Sequence, residues 1–331
     1  MTFRERYLNG EADFEELFDL TDEWNFSDET CTLREYLGLT EEEEDVWISE
    51  SDDALFELLE KEKNRKLFLT DLDGTLLNDR KELTDGNRKQ IERILNEGHA
   101  VCLSTGRALK SALYQAERLG LMKEGCYIIA YNGGQIYDIG KKYILHSESI
   151  PMDLTRLCFD EALDFGINIQ AYDPEYVLSE KEHPDQERYC RIQNLTWKIV
   201  PDIVEYLTMG TPKMLATDIQ NPDNVTAFRA RLQPLVEGRL DLFLSQKDYL
   251  EIVPPGVNKG NALRCLCEYL QIPVSHTIAA GDAENDLQML KAAEIGVCMI
   301  NGTEAAKKEA DYVTRLDNNH DGVAEILEKY F

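Results

Sequence analysis

From residue 66 onward, short apolar runs alternate with stretches in which apolar side chains recur every three or four positions. Leu67, Phe68 and Leu69 read as a short buried strand. Thr84 then precedes a helical pattern (Ile91, Ile94, Leu95) that stops near Gly98, a residue suited to the left-handed turn that ends a helix. Residues 100–103 predict a second buried strand, 109–119 a second helix and 127–130 a third strand. The rhythm resumes late in the chain. A strand is expected at 249–253, a helix carrying Leu263, Leu266 and Leu270, a strand at 277–280, and further strands at 295–300 and 312–313. A helix over 322–330 closes the chain. Strand–helix–strand alternation implies a doubly wound parallel sheet with helices on both faces, an α/β fold.

Two regions break the pattern. Residues 149–248 carry irregular blocks punctuated by Pro151, Pro174, Pro184, Pro201, Pro212, Pro222 and Pro234. They read as a second, α+β domain of about 100 residues inserted into the first, an ordinary domain size. Residues 1–64 show short helical spacing instead: Leu33, Tyr36 and Leu37, then Leu55, Leu58 and Leu59, with Thr40 and Glu43 placed as a capping box. Trp24, Phe26 and Trp47 are candidates to knit these helices into a module; the other reading is a solvated acidic leader. The expected organisation is a helical appendage over 1–64, a core over 65–148 and 249–331, and an inserted domain over 149–248.

Charge sharpens the division. Residues 1–60 hold 21 Asp and Glu against three Arg and no Lys, a net −18 of the chain's −28. So acidic a chain is not expected to bind nucleic acid or an anionic membrane. The appendage suits a basic partner, another subunit, or a contact with a cationic mouth elsewhere in the same chain. Within it, residues 41–45 read as a solvated helix face. The eight cysteines are scattered without a CxxC and are expected to be reduced; the five histidines form no cluster. The first twenty residues lack the apolar stretch of a signal peptide, and no run approaches the ~18 apolar residues of a membrane span, so a cytoplasmic location is expected.

Candidate chemistry gathers at strand ends. Asp71 and Asp73 follow the first strand and are followed by Gly74, which permits a sharp turn. Alternation sends both carboxylates to one side, at the edge where open α/β sheets bind ligands. Thr105, Gly106 and Arg107 follow the second strand, Lys259 opens a late helix, and Asp282, Asn285 and Asp286 follow the strand at 277–280. Phosphoryl transfer needs cations, in-line positioning and a nucleophile. Asp71 suits the nucleophile. Asp73 suits the proton shuttle, a task expected to need a raised pKa. Lys259 would offset the crowding of Asp71 against phosphoryl oxygens. Thr105 and neighbouring amides would cradle one oxygen, and Asn285 would contact the phosphoryl group. Asp71, Asp282 and the backbone carbonyl of Asp73 offer hard oxygen ligands for Mg²⁺, with Asp286 orienting Lys259 or a metal-bound water. Arg107 is open between contacting substrate and pairing with an acid, while Asn132, Gly133 and Gly134 read as a structural turn.

The ordered set D-L-D-G-T, S-T-G-R, N-K-G and G-D-A-E-N-D resembles the haloacid dehalogenase superfamily, and Y-N-G-G with Y-L-E-I-V-P-P-G-V-N-K-G-N-A-L resembles its Cof-type hydrolases. The resemblance runs from Lys66 to the C-terminus and leaves residues 1–64 outside it. An acid at Asp73 is less like the ATPase and dehalogenase branches. About 150 residues between Arg107 and Lys259 place a cap between the second and third motifs. The resemblance implies a Mg²⁺-dependent phosphatase of small phosphorylated metabolites such as sugar phosphates, acting through an aspartyl-phosphate. The alternatives are a sugar phosphomutase, or a regulatory protein acting through residues 1–64. Candidates for specificity in the cap are Tyr172, Glu180, His183, Tyr189 and Trp197, with no spacing that says which face the site.

Overall fold

A computed structural model describes residues 1–331 and divides the chain into two compact units, Met1–Lys66 and Leu67–Phe331. The first unit is five helices: Phe3–Leu8, Glu16–Asn25, Leu33–Leu37, Glu41–Ser49 and Asp52–Lys63. Three of them open with reciprocal capping boxes, Thr2 with Glu5, Thr32 with Glu35 and Thr40 with Glu43. Helices this short gain little from their own hydrogen bonds, so tertiary packing must hold them. Phe3, Tyr7, Leu17, Leu37, Leu55 and Leu59 form that core. Two expectations are corrected here. Phe26 lies beyond the end of its helix and is 91% exposed, while Trp47 only flanks the core, so the packing is led by aliphatics and by Phe3 and Tyr7. Glu43 is not part of a solvated face: it is buried, with Arg4 Nε 2.8 Å from its Oε1.

The second unit holds fourteen strands. In chain order they are β1 (Leu67–Thr70), β2 (Ala100–Ser104), β3 (Cys126–Ala130), β4 (Gln135–Asp138) and β5 (Tyr143–Ser147), then β6 (Asn168–Tyr172), β7 (Val177–Ser179), β8 (Trp197–Ile199), β9 (Met214–Thr217), β10 (Asp241–Gln246) and β11 (Tyr249–Val253), and finally β12 (Thr277–Gly281), β13 (Ile295–Cys298) and β14 (Tyr312–Val313). Eight make one sheet in the order β14-β13-β12-β1-β2-β3-β4-β5. It is parallel from β14 to β3 and ends in an antiparallel β4–β5 hairpin. Alternation splits β1 between two cores. Phe68 packs on one face with Val101, Ile91 and Ala112, and Leu67 and Leu69 on the other with Cys102, Leu263 and Leu266.

Strands β6–β11 make a second, six-stranded sheet in the order β10-β11-β9-β6-β7-β8, with its own core of Leu154, Phe159, Met214, Phe228 and Ile252 among others. The strand expected at 249–253 to begin the return to the first sheet belongs instead to this second one. Its residues pair with β9 and β10, so the crossing back falls after Val253, at Pro254-Pro255. Both prolines lack the N–H that would continue the ladder.

Candidate active site

The order of the first sheet reverses direction at β1. The chain proceeds from β1 to β2 and β3 on one side, and β12, β13 and β14 lie on the other. Such a switch point leaves a crevice at the carboxyl ends of the strands. The residues that leave β1, β2 and β12 there are Asp71, Thr105 and Asp282. Gly74 makes the turn after β1 with φ of +93°, and a methyl group on it would stand 2.6 Å from Asp282 Oδ2. Any side chain at this position therefore both strains the backbone and collides with a carboxylate.

Lys259 is the hub of the charged cluster. It opens the helix Lys259–Leu270, whose preceding Asn258 accepts from the N–H of Asn261, and its side chain is fully buried. Its Nζ donates to Asp71 Oδ1 and to Asp286 Oδ1, both at 2.6 Å. Asp286 turns its other oxygen to the N–H groups of Asp282 and Ala283 at 3.0 Å, and Thr75 Oγ1 donates to Asp282 Oδ1 at 2.8 Å. Burial pushes Asp71 up to about 8 and Asp282 up to about 6; neighbouring carboxylates add to both shifts, against the pull of Lys259. Burial alone would depress Lys259, but Asp286 and Asp71 outweigh it and hold the ammonium protonated.

One carboxylate oxygen from each of Asp71, Asp282 and Asp286 lies within 4.8 Å of the others. Three acids around one lysine leave the cluster short of positive charge. Hard oxygens in a buried, under-neutralised group fit a divalent metal ion. Asp286 is already engaged with Lys259 and two amides, which leaves Asp71 and Asp282 the freer ligands.

Asp73 departs from expectation. Arg107 donates from Nε to its Oδ2 and from Nη2 to its Oδ1, both at 2.8 Å, and Lys81 Nζ donates to Oδ1 at 2.7 Å. Burial works against ionisation of Asp73, but the Arg107 fork and Lys81 outweigh it and hold the carboxyl below the usual range. The raised pKa expected of a proton shuttle is absent in this arrangement, because two cations rest on it. Arg107 pairs with an acid here.

Thr105 is buried, and its Oγ1 accepts the N–H of Arg107 at 3.2 Å, which leaves its own proton to donate. The loop is braced from β3: Tyr131 N–H donates to the carbonyl of Arg107 at 2.9 Å and Asn132 N–H to that of Thr105 at 3.0 Å. Tyr131 and Asn132 both carry positive φ, at 53° and 57°, a strained run for non-glycine residues. Asn285 Nδ2 donates to Asn132 Oδ1 at 3.3 Å, while Asn132 Nδ2 is buried without a partner. The turn at 132–134 thus does more than reverse the chain. It presents an amide to the site, a role spacing alone did not signal.

These groups floor a cavity of ≈ 210 Å³ whose far wall comes from the second sheet and its helices, through Tyr189, Gln193, Lys213, Ser245, Tyr249 and Glu251. Of the five cap residues singled out from sequence, Tyr189 lines it. Tyr172 is buried behind, packed on Tyr131 and Tyr189. Glu180 pairs with Arg156, and His183, like Glu180, lines a separate groove. Trp197 is half exposed on β8, outside the cavity lining.

Residues 68–327 match the family of haloacid dehalogenase-like hydrolases. The chain belongs to that family. A 5-amino-6-(5-phospho-D-ribitylamino)uracil phosphatase of Bacillus subtilis is 30% identical to this haloacid dehalogenase-like hydrolase over 274 residues, which cover 80% of this chain and 97% of the relative. An HMP-PP phosphatase of Escherichia coli is 25% identical over 248 residues, 75% of this chain and 89% of its own. The crystal structure of a haloacid dehalogenase-like hydrolase from Bacteroides thetaiotaomicron superposes with a TM-score of 0.75 at 30% identity, covering 81% of this chain and all of that one. The enzyme is a phosphatase. No helix is long and apolar enough to cross a membrane.

Proposed function

We propose that the enzyme hydrolyses small phosphate monoesters, sugar or sugar-alcohol phosphates among them, through an aspartyl-phosphate on Asp71 with Mg²⁺ as cofactor. The observation that carries the reading is the Asp71 carboxylate, held at the switch point by Lys259 and lining, with Asp73, a cavity whose far wall comes from the second sheet and its helices. With Oδ1 engaged by Lys259, Oδ2 of Asp71 is the oxygen available to attack phosphorus. The ester P–O bond breaks, and the departing oxygen takes a proton from Asp73. Water then attacks the phosphoryl group and gives a proton back to Asp73, the P–O bond to Asp71 breaks, and inorganic phosphate leaves.

Asp73 rests as a carboxylate, the form that accepts a proton from water. For the first transfer it must carry a proton, and an arriving phosphate dianion competes with it for Arg107, loosening the contacts that hold it ionised. Thr105 Oγ1 and the side-chain amides of Asn132 and Asn285, all lining the cavity, would donate to phosphoryl oxygens. Asp71, Asp282 and the backbone carbonyl of Asp73 would hold the Mg²⁺, which when bound supplies the positive charge the carboxylates lack and screens them from the phosphate. The expected cap, residues 149–248 extended by the rest of β11, would exclude bulk water and read the leaving group. The named activity of the Bacillus subtilis relative, on a ribityl phosphate, supports this substrate class.

The test is inorganic phosphate release from a panel of phosphorylated metabolites, with Mg²⁺ and with a chelator. Metal-dependent release from a related group of monoesters is expected. Phosphate transfer within a sugar, dependent on a bisphosphate and without release, would instead make it a mutase.

A further inference from the structure

Two contacts from the second sheet and its helices land on the loop that leaves β2. Lys213 on β9, buried with its Nζ 2.9 Å from Glu251 Oε2, donates to the carbonyl of Gly106 at 2.9 Å. The other contact is a chain of side chains. Gln193 ends the helix Pro184–Gln193, and its Oε1 accepts from Ser111 Oγ at 3.2 Å. Ser111, on the helix Leu109–Leu119, accepts in turn from Arg107 Nη1 at 3.3 Å. The opposite edge of the same guanidinium holds Asp73 through Nε and Nη2. A hydroxyl has a single proton to give. With that proton directed at Gln193, the Ser111 oxygen turns a lone pair to Arg107, and each bond of such a chain strengthens the next. Ser111 is fully buried and is no part of the cavity lining, so it does not meet a substrate, whereas Gln193 lines the cavity.

We propose that Ser111 and Gln193 are positioning residues that tie the placement of Asp73 to the seating of the inserted domain. The inference rests on the phosphatase reading above and adds a condition to it: Asp73 is aimed at the departing oxygen only while the second sheet is docked on the first. The guanidinium of Arg107 is planar, so fixing Nη1 on Ser111 fixes the angle at which Nε and Nη2 meet the carboxylate. With Nη1 released, the fork keeps its pairing with Asp73 but turns with it. A reacting group misplaced by about 1 Å loses on the order of 10²-fold in rate. Lys213 steadies the same loop one residue earlier, through the Gly106 carbonyl. The second sheet therefore does more than cover the cavity, because two of its side chains complete the loop that aims the acid.

Two esters of similar size separate this from a purely structural role. Benzyl phosphate loses an alcohol, whose oxygen must be protonated as it departs, whereas 4-nitrophenyl phosphate releases its oxygen as the anion. A misplaced acid slows the first and spares the second. In Ser111→Ala, checked for folding by thermal unfolding, kcat/KM for benzyl phosphate is expected to fall by about tenfold or more, and that for the nitrophenyl ester to change by less than about twofold. Gln193→Met removes the acceptor from the chain and should show the same split. The double variant should be no worse than Ser111→Ala alone, since both changes break one chain. If Ser111→Ala does not fold, Gln193→Met carries the test. Equal losses on both esters, no loss on either, or losses that multiply in the double variant overturn this inference alone. So does a wild type active on the nitrophenyl ester and silent on benzyl phosphate. If the wild type hydrolyses neither ester, the phosphatase reading falls and this inference with it.

Discussion

The two walls of the cavity handle charge in opposite ways. The floor, at the ends of β1 and β12, crowds Asp71, Asp282 and Asp286 around a single lysine and is left under-neutralised. The far wall sets one lysine against one glutamate and balances. An unbalanced buried cluster has to be completed from outside, whereas a balanced one can only discriminate. On the proposed function, the first wall would take metal and phosphate, and the second would meet the leaving group.

The contrast is most sharply broken by Asp71→Asn. Turnover should fall by on the order of 10³–10⁶, as for the loss of a covalent nucleophile. Thermal stability without metal should hold or rise, because one of three crowded acids becomes neutral. Near-normal phosphate release from this variant would remove Asp71 from the chemistry. The far wall should respond in reverse. Lys213→Met leaves Glu251 buried without its partner and should cost about 3–5 kcal/mol in denaturant unfolding; a cost near zero would show that the pair is not balanced in the way described.

The floor also predicts a slope with pH. Asp71 and Asp282 are raised in the folded state, so the native protein keeps protons that the unfolded chain releases. By linkage, metal-free stability should decline as pH rises from the ordinary aspartate range, first through about 6 for Asp282 and then through about 8 for Asp71. Saturating Mg²⁺ should flatten that slope, and its apparent affinity should weaken by about tenfold per pH unit from 8 down to 6 and by about a hundredfold per unit below 6, where both carboxyl groups hold protons. Melting curves and calorimetric titrations between pH 5 and 8.5 would decide it. A metal-free stability that climbs over this window contradicts the crowding.

Much of this was legible in the chain. The β1, β2, β3 and β12 strands are buried throughout, so their apolar runs mark them, and the acids at their ends follow from alternation. The β4–β5 hairpin is not legible in the same way, because β5 is largely exposed at the edge of the sheet and packs only Leu145 against its core. Contacts between distant positions were equally silent. Lys213 meets Gly106, 107 positions away, and Asp73 meets Arg107, 34 away, so nothing near either residue announces its partner. The ionised state of Asp73 follows from those distant partners and not from its own motif. Phe26 misled for a simpler reason: aromatic character suggested burial, but position beyond a helix end decided exposure.

The smallest effect concerns the helical unit. It has its own core and its own caps, so deletion of residues 1–66 should change kcat/KM on a small substrate by less than about twofold, within the range of changes remote from a site. A large loss in a folded truncation would mean that these helices complete the active site.

The placement of β1 has a consequence for the protein's birth. Leu67 pairs on one side with Ala100, close in the chain, and on the other with Thr277, 210 residues later. At ribosomal speeds of roughly 5–20 residues per second, that second edge stands open for about 10–40 s while the intervening sheet is made. The strand that carries Asp71 thus keeps one edge open until residues 277–281 have emerged, and only β13 and β14 are added to the sheet after that.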